Sequence, residues 1–136
     1  MHQDCFVIDS YALLAFLEGG VGCEKISRFL EGAAGERCQL FMSVINLGEV
    51  LYIVERERGL PKAQETLARI DELPIRIIDV DRPQILVAAH IKARWPVAYA
   101  DCFAVALAKL KAAAVVTGDP EFKVLEAASE VSVTWL

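Results

Sequence analysis

Short apolar runs alternate with helical segments along the chain, and this alternation limits the possible folds more than any other feature of the sequence. The apolar runs predict strands at residues 5–8, 39–42, 75–79, 114–117 and 131–136. Periodic apolar positions and capping residues predict helices at residues 10–18, 23–33, 43–58, 61–72, 82–93 and 99–111, and a short helix that begins at Pro120. Strands joined by helices form parallel sheets that carry helices on both faces.

The pattern within each strand indicates its place in the sheet. Residues 6–8, 40–42 and 115–116 are continuously apolar, which is typical of strands covered on both faces. The runs at 75–79 and 131–136 alternate, as edge strands often do. We therefore predict one α/β domain over residues 1–136, a three-layer sandwich with a central parallel sheet of about five strands in the order 3-2-1-4-5. Ligands bind such sheets at the switch point, here between the carboxyl ends of strands 1 and 4.

Four acids stand where a strand gives way to a helix or where a helix begins. Asp9 and Asp119 follow the first and fourth strands, Glu49 lies in the helix at 43–58, and Asp101 is the single charge between residues 96 and 108. Taken alone, the first two can cap helices, Glu49 can be a solvated helix residue, and a helix N-terminus can stabilise Asp101. If the four converge within about 4–6 Å, each like-charge pair costs on the order of 1–4 kcal/mol. Such a cluster must hold protons or bind a cation, and magnesium or manganese suits oxygen ligands and phosphoryl chemistry.

Composition bounds the function. The net charge of −5 argues against a protein that binds nucleic acid by bulk electrostatics, although basic clusters at 56–69, 92–94 and 109–111 are compatible with a local basic rim. No apolar run reaches the roughly 18 residues of a transmembrane helix, and the N-terminus lacks a basic signal-peptide start. The cysteines show no C-x-x-C spacing and favour thiols over disulfides or zinc: Cys5, Cys23, Cys38 and Cys102. We therefore expect a cytoplasmic protein without a membrane segment.

Four segments, in order, carry a resemblance to a known family. They are Val-Ile-Asp-Ser at 7–10, Ser-Val-Ile-Asn-Leu-Gly-Glu at 43–49, Tyr-Ala-Asp-Cys-Phe-Ala-Val-Ala at 99–106 and Val-Thr-Gly-Asp-Pro-Glu-Phe at 116–122. Each segment alone is a weak motif, but the four together, spread over essentially the whole chain, resemble a PIN domain. The arrangement looks most like the VapC-type toxins of bacterial and archaeal toxin–antitoxin pairs.

The resemblance implies a magnesium- or manganese-dependent endoribonuclease that leaves a 5′-phosphate and a 3′-hydroxyl. Its acidic pocket would be both metal-binding and catalytic, with Asp9 and Asp101 as principal ligands and Glu49 and Asp119 completing the set. Three further residues match positions that orient the acids or bound waters: Ser10, Asn46 and Thr117. One departure is Val105, where some relatives carry another polar residue, and this argues against a second tightly bound metal.

The resemblance also implies partners, namely an RNA substrate, a second copy of the chain and a small antitoxin protein that covers the groove. A mean hydropathy of +0.39 is high for a small monomer, so we expect exposed apolar area at an interface. The helices with the greatest surplus lie at residues 10–18 and 44–54, and the side chains in question are Tyr11, Leu13, Leu14, Phe16, Leu17, Tyr52 and Ile53.

Two other functions are compatible with a doubly wound sheet. The first is a PIN-like RNA- or protein-binding module without turnover, which a missing acid would favour; all four acids are present. The second is another magnesium-dependent phosphotransfer protein. A haloacid-dehalogenase-type phosphatase needs Asp-x-Asp after its first strand, and here Tyr11 takes the second position. A receiver domain needs an acidic pair, a phosphoacceptor Asp and a late Lys, and the chain offers no matching set.

Overall fold

A computed structural model describes residues 4–136, so the first three residues of the predicted domain lie outside the described part. Five strands and seven helices follow one another along this part of the chain. In order they are β1 (Asp4–Ile8), α1 (Ser10–Leu17), α2 (Cys23–Ala34), β2 (Cys38–Ser43), α3 (Val44–Arg58), α4 (Leu60–Asp71), β3 (Arg76–Ile78), α5 (Arg82–Arg94), α6 (Tyr99–Lys111), β4 (Ala114–Thr117), α7 (Phe122–Ala127) and β5 (Val133–Trp135).

The strands form one parallel sheet in the order β3-β2-β1-β4-β5. This confirms the predicted order, with the two alternating strands at the edges. β1 lies between β2 and β4, and Ile8 pairs with Val116 in the register. The carboxyl ends of β1 and β4 therefore lie side by side, which places the switch point where the sequence predicted it.

Helices cover both faces of the sheet. Because successive strand residues point to opposite faces, Val7 and Ile8 enter different core layers. Val7 and Val115 pack with the apolar side of α6, whose residues 102–108 are all buried. Ile8 and Val116 pack on the opposite face, in the layer that holds the buried residues of α1 to α4. The three-layer sandwich is thus confirmed.

Several element ends differ from the predicted ones, and the start of α7 is an informative error. The helix predicted from Pro120 begins two residues later, at Phe122. The preceding residues form a turn around Asp119, whose side chain accepts the N–H of Glu121 and whose carbonyl accepts the N–H of Phe122. The last strand is also shorter than predicted, covering three residues, Val133–Trp135.

The prediction of a large apolar surplus on α1 is wrong. Leu13 is fully buried, and Leu14, Phe16 and Leu17 pack against the core, so Tyr11 is the large apolar side chain of α1 that stays exposed. Tyr52 is exposed on α3, whereas Ile53 is half-buried. The cysteines are present as thiols, and Cys102 is buried. Among residues 4–136, every helix is too short or too polar to cross a membrane.

Candidate active site

The ends of β1 and β4 hold Asp9 in place. Asp9 is 1% exposed, and its Oδ1 accepts the N–H of Ala12 at 2.8 Å, so it caps the N-terminus of α1. The fully buried Thr117 bonds to the carboxylate of Asp9 through its hydroxyl. The same hydroxyl oxygen accepts the N–H of Asp119 at 3.0 Å. Thr117 therefore links the two acids that follow neighbouring strands.

Glu49 is brought to the same edge of the sheet by α3, which begins directly after β2. Ser43 accepts the N–H of Ile45 and caps this helix. Glu49 is half-buried, and the hydroxyl of Ser10 donates a short hydrogen bond to its Oε1. Since Ser10 adjoins Asp9 in the chain, this contact connects the first and second acids. The reading of Glu49 as a solvated helix residue is therefore wrong.

Asn46 connects α3 to α6, the helix that carries the third acid. Its side chain is fully buried, and its Nδ2 donates to the carbonyl oxygen of Ala100 at 3.1 Å. Asp101 lies in the first turn of α6 and is 6% exposed. Among the described residues, its Oδ2 has no hydrogen-bond partner. A buried carboxylate oxygen without a partner is costly, so Asp101 must either hold a proton or bind a ligand that the polypeptide does not supply.

A fifth acid, Glu121, belongs to the site, and the sequence analysis gave it no role. One carboxylate oxygen each of Asp101, Asp119 and Glu121 lies within 4.8 Å of the others. Glu121 Oε1 also accepts the N–H of Ala98 at 3.0 Å, at the N-cap position of α6. Its spacing two residues after Asp119 was visible in the sequence. Its partner lies 23 residues earlier, however, and the turn that brings the two together was mistaken for helix.

Burial and neighbouring charges raise the pKa values of two of the acids, Asp9 and Asp101. Burial is the largest cause for Asp9 and raises its pKa to about 7; the charges of Asp119 and Glu49 add to this, while the bonds from Thr117 and Ala12 oppose it. Burial likewise raises the pKa of Asp101 to about 8, assisted by Asp119, Glu121, Asp9 and Glu49. Five carboxylates therefore lie in one another's field. Without a cation, this pocket retains protons near neutral pH.

The donor set fits a hard divalent cation. The converging side chains offer carboxylate and hydroxyl oxygens, the ligand type that magnesium and manganese prefer. The partnerless Asp101 Oδ2 and the close group of Asp101, Asp119 and Glu121 supply the independent structural signs of such a site. Val105, one helical turn after Asp101, is fully buried and apolar, so it adds no ligand for a second ion.

Comparison of the sequence with models of known protein families identifies one family. The sequence matches the PIN domain over residues 6–128. No curated protein matches the sequence significantly.

Several solved structures share the fold. VapBC2 from Rickettsia felis, bound to a promoter DNA fragment, matches with a TM-score of 0.77 at 14% identity, covering 97% of this chain and 98% of that one. VapC20 from Mycobacterium tuberculosis, described as a toxin that cleaves the sarcin–ricin loop, matches at 0.71 with 19% identity, covering 93% and 98% of the two chains. FitAcB from Neisseria gonorrhoeae matches at 0.69 with 20% identity, covering 94% and 95%. At such identities these structures establish the fold.

Proposed function

Because the chain belongs to the PIN domain family, we propose that it is a magnesium- or manganese-dependent endoribonuclease, the toxin of a type II toxin–antitoxin pair. The observation that carries the proposal is the buried oxygen of Asp101 that lacks a protein partner and faces other carboxylates. A structural acid would be paired or exposed. The alternative is a catalytically silent RNA- or protein-binding module, and the complete set of acids supports the catalytic function.

Each side chain has a role in holding the ion or orienting the acids. Asp9 and Asp101 are the principal ligands, and Glu49 and Asp119 complete the pocket. The ion, when bound, supplies positive charge and lowers the pKa of a water molecule. The chain supplies the geometry: Ser10 fixes Glu49, Thr117 fixes Asp9 and Asp119, and Asn46 fixes the first turn of α6. Because these contacts exist in the free protein, little reorganisation is needed at the reacting phosphate.

Incubation of the purified chain with RNA tests the function. We expect cleavage in magnesium or manganese, none in a chelator, and products with 5′-phosphate and 3′-hydroxyl ends. Asp9→Asn should be inactive although it remains folded, since asparagine caps helices about as well as aspartate. Asp71→Asn is the matched control, because Asp71 is an exposed acid at the end of α4. Equal cleavage in chelator, or by Asp9→Asn, would reject the proposal.

Glu121 is expected to act as a positioning residue for Asp101. Glu121→Ala removes the hydrogen bond to the N–H of Ala98 at the start of α6, which costs about 1 kcal/mol, and it leaves Asp101 less firmly placed. We expect a lower melting temperature and cleavage reduced about tenfold. Glu121→Gln retains an oxygen for the Ala98 N–H, so its stability should return to wild type, while a several-fold higher magnesium concentration is needed because one negative charge is lost. An alanine variant equal to wild type in melting temperature and rate would exclude this role.

A groove between α1, α3 and α4 suits the proposed antitoxin. It has a volume of about 110 Å³, an apolar floor that includes Leu14, Leu17 and Val54, and a rim of both charges that includes Arg58 and Glu18. An amphipathic helix can place its apolar face on such a floor. The groove lies at the carboxyl ends of α1 and α3, so an inhibitor segment bound there has to continue along α3 to place a basic side chain in the acidic pocket, where it competes with the ion. This arrangement supports an antitoxin segment as the occupant.

We predict that a substitution in this groove weakens the complex between the chain and the antitoxin. We expect a gene for a small antitoxin to adjoin this one, and its product should co-purify with the chain and suppress cleavage. Leu17→Gln should reduce that affinity about tenfold, since a half-buried apolar contact is replaced by a polar group, with cleavage by the free chain retained. Leu110→Gln on α6 serves as control, because Leu110 is exposed and does not line the groove. Unchanged affinity of the Leu17 variant would place the partner elsewhere.

The dimer proposed from the sequence is better placed on α5 than on α1. Three consecutive apolar residues of α5 are exposed, Ile85, Leu86 and Val87, which is unusual for a solvated helix. A second copy of the chain would cover them. Sedimentation should give a dimer for wild type and a monomer for Leu86→Lys.

A ribonuclease of cellular RNA would act in the cytoplasm, the location we propose for the chain.

A further inference from the structure

All the tyrosines of this chain lie close in sequence to the acids of the proposed site. The sequence contains three, Tyr11, Tyr52 and Tyr99, and each lies within three residues of an acid of the proposed site. All three are about half exposed, at 45%, 53% and 46%. An exposed aromatic ring next to a catalytic pocket is available for contact with substrate.

Tyr11 is held against the loop that leads into Asp119. A Cβ built on Gly118 would lie 2.4 Å from Tyr11 Cε1 and 3.0 Å from its Cζ, so the ring rests directly on the glycine backbone. Any larger residue at position 118 would push the ring away. The ring is therefore fixed on one side by the loop, and the rest of it remains open to solvent.

Tyr99 is supported in a comparable way at the start of α6. It begins α6, two residues before Asp101, and its ring centroid lies 4.9 Å from that of Phe103 at an interplanar angle of 60°. Phe103 is 5% exposed and belongs to the core. Tyr99 thus has a rigid inner neighbour and an open outer surface.

Tyr52 differs from the other two. The guanidinium of Arg56 lies over its ring, 5.4 Å from the centroid, so one face already has a cation–π partner. It also lies three residues beyond Glu49 on α3. Tyr52 is therefore about one helical turn farther from the capping residue Ser43 than Glu49 is. Tyr52 is therefore the matched comparison, an exposed tyrosine whose ring is partly occupied.

Charge explains why a nuclease of this kind would need such rings. A substrate phosphate must approach a cluster of carboxylates on a chain of net charge −5, so phosphate neutralisation by the protein surface contributes little affinity. Stacking of a nucleobase on an aromatic ring contributes affinity without charge, enough to lower Kd about tenfold or more per base. A base is available for stacking when its strand is unpaired, since a duplex hides the base faces.

We propose that Tyr11 and Tyr99 are substrate-binding residues whose exposed rings stack unpaired nucleobases of the RNA beside the acidic pocket. This inference rests on the proposed ribonuclease function, whose acids define the pocket. The two rings would hold the nucleotides that flank the phosphodiester and place the phosphate beside Asp101 and Asp119.

Binding measured without cleavage separates this inference from the function. A fluorescent single-stranded RNA of about 12 nucleotides is titrated with the Asp101→Asn protein in magnesium, and anisotropy reports the affinity. We expect Tyr11→Ala and Tyr99→Ala each to raise Kd about tenfold, with melting temperatures unchanged. Tyr11→Phe and Tyr99→Phe should bind as the parent does, and Tyr52→Ala should change Kd less than twofold. The matched RNA duplex should bind more weakly and should not respond to the tyrosine substitutions.

Alanine variants that bind single strands as tightly as the parent would overturn the inference. So would an equal loss from Tyr52→Ala, or a loss for the duplex as large as for the single strand. Dissociation of the dimer by Tyr11→Ala, with RNA affinity retained, would assign the ring to a protein interface instead. Absence of cleavage by the unsubstituted chain on every RNA would contradict the proposed function, whereas the binding series would still decide the role of the rings.

Discussion

Replacement of Asp101 by asparagine is expected to abolish RNA cleavage and at the same time to stabilise the metal-free protein. The substitution removes a proposed principal ligand, and loss of the several kcal/mol that an ion contributes to the transition state is expected to lower the rate about a thousandfold or more. It also removes one charge from a pocket where Asp119, Glu121, Asp9 and Glu49 all raise the pKa of Asp101. Relief of the like-charge repulsion should raise the melting temperature by several degrees in a chelator above about pH 8, where Asp101 is ionised in the wild type.

The gain in stability should depend on pH in a defined direction. In the folded protein the pKa of Asp101 is about 8 and that of Asp9 about 7, compared with a normal value of 3.8. Because the folded state binds these protons more tightly than the unfolded state, the stabilising contribution is complete below about pH 3.8 and is lost as the pH rises through 7 and 8. The metal-free wild type should therefore lose stability between about pH 5 and pH 8.5, and Asp101→Asn should lose less.

Thermal melts of the two proteins across this pH range test the prediction, with Asp71→Asn as control for a surface charge change. A melting temperature for Asp101→Asn several degrees below that of wild type at high pH would show that Asp101 is a structural residue. If instead the metal-free wild type becomes more stable as the pH rises over this range, the acids are paired with basic side chains and do not repel one another.

Magnesium or manganese is expected to stabilise the folded wild type by a large amount. An ion that binds the native state alone adds RT ln(1 + [L]/Kd), about 2.7 kcal/mol at a hundredfold excess over Kd. For a chain of this length, this corresponds to a rise in melting temperature on the order of 10 °C. Calorimetric or fluorescence melts in millimolar metal chloride measure the rise, and sodium chloride at equal ionic strength controls for screening.

The same metals should stabilise the site variants much less. Asp9→Asn and Asp101→Asn each lose a proposed principal ligand, so their response should fall to a small fraction of that of wild type. Glu57→Gln provides the comparison, because Glu57 is an exposed acid near the far end of α3. An equal response in wild type and Asp101→Asn would mean that the ion binds at a different place.

The fold was predictable because its signals are local. Continuous apolar runs at β1, β2 and β4, alternating runs at β3 and β5, and helix caps such as Ser43 each depend on neighbouring residues. Once the strand order was predicted, the positions of Asp9 and Asp119 followed, because both directly follow adjacent parallel strands. The sheet places Ile8 beside Val116, as that reasoning required.

The remaining features depend on contacts between distant residues. Glu121 reaches Ala98, and Asn46 reaches Ala100, across 23 and 54 residues, and no periodicity in the sequence marks such pairs. The burial of Leu13 was missed because apolar composition does not reveal which side of a short, almost wholly apolar helix faces the core. The contact of Tyr11 with Gly118 could not be predicted either, although the sequence shows a glycine directly before Asp119.

The most direct test of the central claim, that these acids hold the ion used for RNA hydrolysis, compares metal binding with cleavage in the same protein. Manganese is titrated calorimetrically into wild type and Asp101→Asn, and the cleavage rate of one RNA is measured over the same concentrations. We expect the wild-type rate to rise in proportion to occupancy, with half-maximal values at the same manganese concentration, and the variant to show neither binding nor cleavage in that range. Manganese binding to Asp101→Asn with wild-type affinity, or cleavage by wild type before the ion binds, would contradict the claim.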